Sequence, residues 1–336
     1  MKLVTYVNAS HQHNPKTEMV AQRHFHGQGG VLLNGRIYDL SQVCPWVEAR
    51  KEIPLDRRAN SVLEFVHLPQ EQRKILASMI SGLPSSGLNS LDLASVRLRA
   101  PIEMPPSVRD FYAFEEHVKT ARLNRGLSMI PEWYKFPTFY FSNNLAIYGP
   151  EEYIPYPRNS EALDFELEMA CVIGKAGRDI KAEKAADYIA GYLILNDWSA
   201  RDLQLEEMRI GLGPAKGKDF ATSLGPCLVT PEELQDKRIG EGPSQRLDLT
   251  MTARLNGKEI SRGNFKDIYY TFCQMVERAS MNVWLEPGDI IGSGTVGTGC
   301  LLELGDKRER WLQPGDVVEL EIERIGVLRN TIVAQD

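Results

Sequence analysis

Positions 163–169 read LDFELEM, an alternation that sets Asp164, Glu166 and Glu168 between Leu163, Phe165, Leu167 and Met169. Alternate side chains of an extended strand point to one side, so Glu166 and Glu168 become near neighbours of like charge. Two arrangements relieve the repulsion. The face can be solvated, as the polar faces of antiparallel strands commonly are, or a hard cation can lie against the carboxylate oxygens. Other segments also carry residues of catalytic type. VRDFYAFEEHVKTARLNRG groups Asp110, Tyr112 and His117 and follows them with Arg122 and Arg125; a lone histidine has many structural uses, so this segment is weak by itself. YLILNDWSARDLQLEEMR runs an apolar strand pattern into Asn196 and Asp197, then turns helical. There Arg201 and Gln204, three apart, share a face and aim a charged donor and an amide at one place. An N-cap aspartate beside a surface arginine fits the same letters. GPAKGKDFATSLGP holds Lys216, Lys218, Thr222 and Ser223 among glycines that either admit a ligand to the backbone or simply make turns.

In IIGSGTVGTGCLLELG, Gly292, Gly294 and Gly297 formally match G-x-G-x-x-G. A dinucleotide fingerprint must open a helix inside a βαβ unit. Here more glycine and a short apolar run, Cys300-Leu301-Leu302, precede Glu303 with no helix-length pattern, so that reading is rejected. A flexible loop presenting Thr295 and leading to a strand with Glu303 fits better. Together, Asp110, Glu166, Glu168 and Asp197 form a hard-oxygen set suited to Mg²⁺ or Ca²⁺, without the Cys and His ligands that zinc prefers. A histidine and a spare glutamate accompany them.

The elements around these residues are mostly strands. MKLVTYV, GGVLLNG and RIYDL open the chain as short strand-like runs, with Asn34-Gly35 a tight turn. PQEQRKILASMISGL has helical spacing and ends at GLPSSGLNS, which suggests a boundary near residues 84 to 100 and hence a small β-rich domain over 1–100 and a catalytic domain over 101–336. Tyr188 to Leu195 reads as a bounded strand, LDLTMTARLNGKEI as a hairpin turning at Asn256-Gly257, and DIYYTFCQMVERAS as a helix. EPGDIIGSG and QPGDVVELEIERIG are Pro-Gly turns feeding β-branched runs.

Of the 336 residues 43% are hydrophobic and 25% charged, ordinary globular composition. A net charge of -6 without blocks of like charge argues against nucleic acid or an anionic membrane as partner and for a small molecule. No apolar run approaches the ~18 residues of a membrane span, and MKLVTYVNASHQHN is apolar for too few residues to be a secretory signal, so a cytoplasmic protein is expected. The 5 cysteines are scattered without a C-x-x-C pair and read as buried thiols.

Taken in order, Asp-Phe-Tyr…His, Glu-x-Glu, Asn-Asp-Trp-Ser-Ala-Arg-Asp-x-Gln, Gly-Lys-x-Phe and Gly-Ser-Gly-Thr resemble the motif set of the fumarylacetoacetate hydrolase family, from about Asp110 to Glu303. The resemblance implies a mixed α/β, β-rich fold: a mixed β-roll catalytic domain with a small N-terminal β domain, usually dimeric. It implies that Asp110, Glu166, Glu168 and Asp197 ligate a divalent cation, Mg²⁺ first, with Mn²⁺ or Ca²⁺ as alternatives. His117 becomes the general base and Glu303 the group orienting it. Tyr112, Arg125, Tyr140, Gln204 and Thr295 become substrate contacts, while Arg201, Gln204 and Lys218 donate to the reacting carbonyl. Thr222 falls near the metal region. Asp164 receives no ligand role and is expected behind the ligands or in solvent. Two departures touch the substrate. Arg125 sits one position nearer the histidine than its counterpart in the enzyme that names the family, and Met208 replaces a substrate-contacting tyrosine.

The activity implied is metal-dependent hydrolysis of a carbon–carbon bond in a 1,3-diketo acid, such as fumarylacetoacetate or an acylpyruvate, in aromatic catabolism. The rivals are a decarboxylase, hydratase or tautomerase of a small 2-oxo acid, and a non-catalytic binding protein on the same scaffold. A short helix with His and Glu three apart, carried by some decarboxylating relatives, is missing: Thr120 follows His117 at that spacing.

Overall fold

The computed structural model describes residues 1–8, 27–51, 54–56 and 58–334; the part of the opening segment beyond Asn8 that was read against a secretory signal lies outside them. The strands Leu167–Ile173 and Ile189–Asp197 are buried at every position. Burial on both faces explains why they read as apolar runs rather than alternating ones. They form the middle of a 12-stranded sheet, in which Ile189–Asp197 also pairs with Thr222–Val229, and Leu167–Ile173 with Ile290–Gly292. Val108–Phe111 joins Ile290–Gly292 in parallel.

One face of this sheet, through Met169, Cys171, Tyr192 and Ile194, packs toward a second sheet of 5 strands that includes Thr250–Leu255, Val317–Ile322 and Gly326–Val333. The other face, through Ala170, Val172, Leu193 and Leu195, is covered by N-terminal residues such as Val43, Val47, Phe65 and Leu76. Those come from the helices Leu40–Lys51, Val62–Val66 and Gln70–Met79. The segment before residue 100 therefore carries helices as well as strands. In Leu40–Lys51 the buried Leu40, Val43, Cys44 and Val47 follow helical spacing, but Pro45 inside the helix reads locally as a breaker.

Other local signals hold. Asn34 and Gly35 have φ of 51° and 73°, and Asn256 and Gly257 have 52° and 80°, the paired positive values of a type I′ hairpin. The five cysteines are buried and free. Two expectations fail locally. LDFELEM is not one strand: Leu163–Asp164 and Leu167–Ile173 are separate, with Phe165 and Glu166 between them. Glu303 lies on a 3₁₀ turn, Leu301–Lys307, rather than a strand. No described helix is long and apolar enough to cross a membrane.

Hydrogen bonding crosses the boundary expected near residue 100. Lys2 and Leu3 pair with Val229 and Leu228, and the terminal ammonium donates to Thr230 Oγ1 and Glu233 Oε2, each at 3.0 Å. Leu3 is fully buried. Leu3→Ala should therefore cost the whole molecule about 2–5 kcal/mol, with circular dichroism and tryptophan fluorescence following one shared denaturant transition. An early transition confined to the N-terminal segment would contradict this continuity.

Candidate active site

Four carboxylates converge where strands of the large sheet end. Asp110 comes from Val108–Phe111, Glu168 from Leu167–Ile173, Asp197 from the last position of Ile189–Asp197, and Glu166 from the break before Leu167. All are at most 5% exposed. One oxygen from each lies within 4.8 Å of the others. Asp110 sits opposite Gly292 in the parallel pair, and only glycine fits there: a Cβ would lie 2.4 Å from Asp110 Oδ1 and 3.2 Å from Glu168 Oε2. Gly294, at φ 78°, turns its N–H to donate to Glu168 Oε2 at 2.9 Å. The glycines that formally spell a nucleotide fingerprint thus make room for carboxylates, and among the described residues no α-helix follows them.

The charges are unbalanced. Lys218 Nζ donates to Glu166 Oε2 at 2.6 Å and to Asp197 Oδ2 at 2.5 Å, and the Tyr140 hydroxyl donates to Asp197 Oδ2 at 2.5 Å. Arg201 donates through one terminal nitrogen to Glu166 Oε1 at 2.7 Å and through Nε to Asp164 Oδ2 at 2.9 Å. Burial would raise the Glu166 carboxyl, yet Lys218 and Arg201 hold it well below the usual range. Asp110 and Glu168 move oppositely. Burial and then the neighbouring carboxylates, Asp197 for Asp110 and Asp110 for Glu168, push both far up. Asp110 Oδ1 and Asp197 Oδ1 are buried without any hydrogen-bond partner, a costly state for acceptor oxygens. Oxygen-only donors, orphaned lone pairs and unrelieved like charge fit a hard divalent cation.

Asp164 is fully buried, which removes its solvated alternative. Besides Arg201 it accepts the N–H groups of Leu301 at 2.8 Å and Leu302 at 3.0 Å. It thereby ties the arginine to the turn that carries Glu303. Strand parity had placed it on the same face; nothing local indicated that it would cap a turn so far along the chain.

His117 projects from the helix Glu115–Leu123, is 3% exposed, and hydrogen-bonds through Nδ1 to Glu303 Oε1. The Thr298 N–H donates to Glu303 Oε2 at 2.7 Å, and Cys300 Sγ lies 3.6 Å from Oε1. Burial pushes the Cys300 thiol well up, so it stays protonated and donates. Tyr112 packs edge-on against the His117 ring, centroids 5.3 Å apart. Burial lifts its phenol to about 12 against the pull of Arg125, so it remains a donor.

These groups line a cavity of about 430 Å³. The carboxylates, His117, Arg201, Gln204 and Lys218 reach it, as do Tyr112, Arg125, Tyr140 and Thr295. Glu303 stands behind His117 rather than on the wall. Gln204 Oε1 accepts from Arg201 at 3.1 Å, confirming the shared helix face. Arg201 and Asp197 are buried partners in an ionic cluster, not a surface arginine and a cap. Thr222 does not line the cavity; its hydroxyl lies 3.3 Å from that of Ser142. Ser223 accepts the indole N–H of Trp198 at 2.9 Å, and Lys216 pairs with Asp219 at the surface.

A fumarylacetoacetase of Arabidopsis thaliana is 33% identical over 241 residues, covering 58% of this chain and 57% of that one. A mitochondrial oxaloacetate tautomerase of Rattus norvegicus is 36% identical over 208 residues, covering 59% of each. The chain thus spans less than two thirds of either relative. A probable 2-hydroxyhepta-2,4-diene-1,7-dioate isomerase from Mycobacterium abscessus superposes over 100% of both chains with a TM-score of 0.67 at 26% identity. Residues 107–333, more than half of the chain, match the fumarylacetoacetate (FAA) hydrolase C-terminal family, and the protein belongs to it.

Proposed function

We propose that the protein is a divalent-metal-dependent hydrolase that cleaves a carbon–carbon bond in a 1,3-diketo acid, an acylpyruvate or fumarylacetoacetate, in the breakdown of aromatic compounds. The observation that carries this reading is the buried His117–Glu303 pair on the cavity that also holds the four carboxylates. With Nδ1–H donated to Glu303, the other ring nitrogen is left as a proton acceptor. It would take a proton from water as that water attacks the distal carbonyl of the substrate. The oxyanion that forms would meet Arg201, Lys218 and the Gln204 amide, whose oxygen is already engaged by Arg201. Breaking the carbon–carbon bond then leaves a carboxylic acid and an enolate, and return of the proton to carbon gives a 2-oxo acid or methyl ketone. Asp110, Glu166, Glu168 and Asp197 would hold the cation, and the chemistry supplied by a divalent ion there is polarisation of chelated substrate oxygens and stabilisation of negative charge as the enolate forms. The working form in this reading is a cytoplasmic homodimer with Mg²⁺, or with Mn²⁺ or Ca²⁺ in its place.

A second reading is tautomerisation or isomerisation of a small 2-oxo acid, favoured by the tautomerase and isomerase names among the relatives. Such reactions pass through the same enolate and also move a proton, but they need no water attack on a carbonyl, so cleavage of a diketone separates the two.

Glu168→Ala should abolish the calorimetric signal of Mg²⁺ or Mn²⁺ titration while circular dichroism remains that of the folded protein, because a hard-metal site cannot spare a charged ligand. Unchanged affinity would remove the metal assignment.

His117→Ala and Glu303→Gln should each lower kcat on an acylpyruvate by at least ~10²-fold with metal affinity intact. The double variant should be little worse than His117→Ala, since residues acting as one unit do not add. Diketone cleavage that survives Glu303→Gln would remove Glu303 from the mechanism, whereas a parent protein that tautomerises oxaloacetate but cleaves no diketone would leave enolate chemistry as the function.

A further inference from the structure

The cavity changes character along its length. At its buried end stand the carboxylates, Lys218 and Arg201. At its outer end the walls are Ile130, Leu205, Met208, Leu212 and Leu302. One helix joins the two ends. Arg201, Gln204, Leu205 and Met208 on Arg201–Ile210 all reach the cavity, spaced i, i+3, i+4 and i+7 along a single face. At 1.5 Å rise per residue this face runs about 10 Å from the guanidinium position to Met208. That span suits a substrate whose reacting oxygens lie at the ionic end and whose remainder extends outward.

The outer side chains are not buried by the protein itself: Ile130 and Met208 are each 41% exposed, Leu205 40% and Leu212 92%. Two half-buried guanidiniums, Arg122 and Arg125, also line the cavity, and the Nε of each is already given to a backbone carbonyl, Ser128 at 2.5 Å and Ala121 at 2.9 Å. A carboxylate seated among these residues would lose its water against mainly apolar surface, whereas a hydrocarbon group would cover that surface.

We infer that the group carried on the substrate's acyl end is an uncharged aliphatic or aryl tail rather than a second carboxylate, with Leu205 and Met208 as the residues that select it. This rests on the diketo-acid reading for the identity of the inner end. It favours an alkanoyl- or aroylpyruvate over fumarylacetoacetate.

The test measures binding, which does not require cleavage. The full chain loaded with Mn²⁺ is titrated calorimetrically with pyruvate, 2-oxohexanoate, 2-oxooctanoate and 2-oxoadipate. Affinity should climb along the alkyl series by up to about fourfold per methylene, the factor to which ~0.8 kcal/mol per buried CH₂ converts. 2-Oxoadipate, matching 2-oxohexanoate in length but ending in a carboxylate, should bind at least tenfold more weakly than it. Leu205→Ala and Met208→Ala, at half-exposed positions where truncation leaves the fold intact, should each shrink the gap between 2-oxooctanoate and pyruvate several-fold. A flat alkyl series, or 2-oxoadipate binding tighter than 2-oxohexanoate, would overturn the inference. The same compounds as acylpyruvates separate it from the hydrolase reading: alkyl-tail preference in binding with no diketone cleavage sinks hydrolysis alone, and cleavage without tail preference sinks the tail alone.

Discussion

Five carboxylates, Asp110, Asp164, Glu166, Glu168 and Asp197, are withdrawn from water in one place and faced by two buried cations, Arg201 and Lys218. Taking charges out of water costs several kcal/mol per ion, and mutual attraction repays it only where partners and hydrogen bonds are complete. Here they are incomplete, since Asp110 Oδ1 and Asp197 Oδ1 have no partner. Such a cluster does not exist for stability. It is held in deficit by the surrounding sheet, and the deficit has the sign and donor chemistry that a hard divalent cation would answer. The neighbouring features follow from this constraint: glycine at 292 where a Cβ would strike two carboxylates, the Gly294 N–H aimed at Glu168, and the Tyr140 hydroxyl on Asp197.

Rigid elements bear that load. The four clustered carboxylates lie at or beside the ends of strands buried on both faces, between a second sheet on one side and N-terminal helices on the other. The N-terminal strand contributes no cavity residue, but it extends the sheet through Thr222–Val229, a direct neighbour of the strand ending in Asp197. Support for the site therefore reaches into the segment that the sequence separates as its own domain.

The names of the relatives divide among a fumarylacetoacetase, a tautomerase and a probable isomerase. What distinguishes those reactions physically is whether water must be activated beside the enolate. In this chain a buried histidine leans on a carboxylate that is itself fixed by a backbone N–H and a protonated thiol. That degree of support orients one ring nitrogen, the requirement of a base acting on water.

How much the sequence determined alone follows the range of the forces involved. Strand parity singled out Glu166 and Glu168, Asn-Gly pairs marked both hairpins, and helical spacing put Arg201 beside Gln204, because each depends on neighbours a few residues apart. The motif order carried the family. The helix Leu40–Lys51 escaped since its proline speaks locally against a pattern that burial on the sheet outweighs. The turn carrying Glu303 escaped for a related reason: its first N–H groups are capped by Asp164, 137 and 138 residues earlier in the chain, a contact with no local signal. Whether the acidic face met solvent or an ion likewise depended on what was folded over it. Only the tertiary structure excluded solvent, by burying the carboxylates with too few cations and leaving oxygens unpaired.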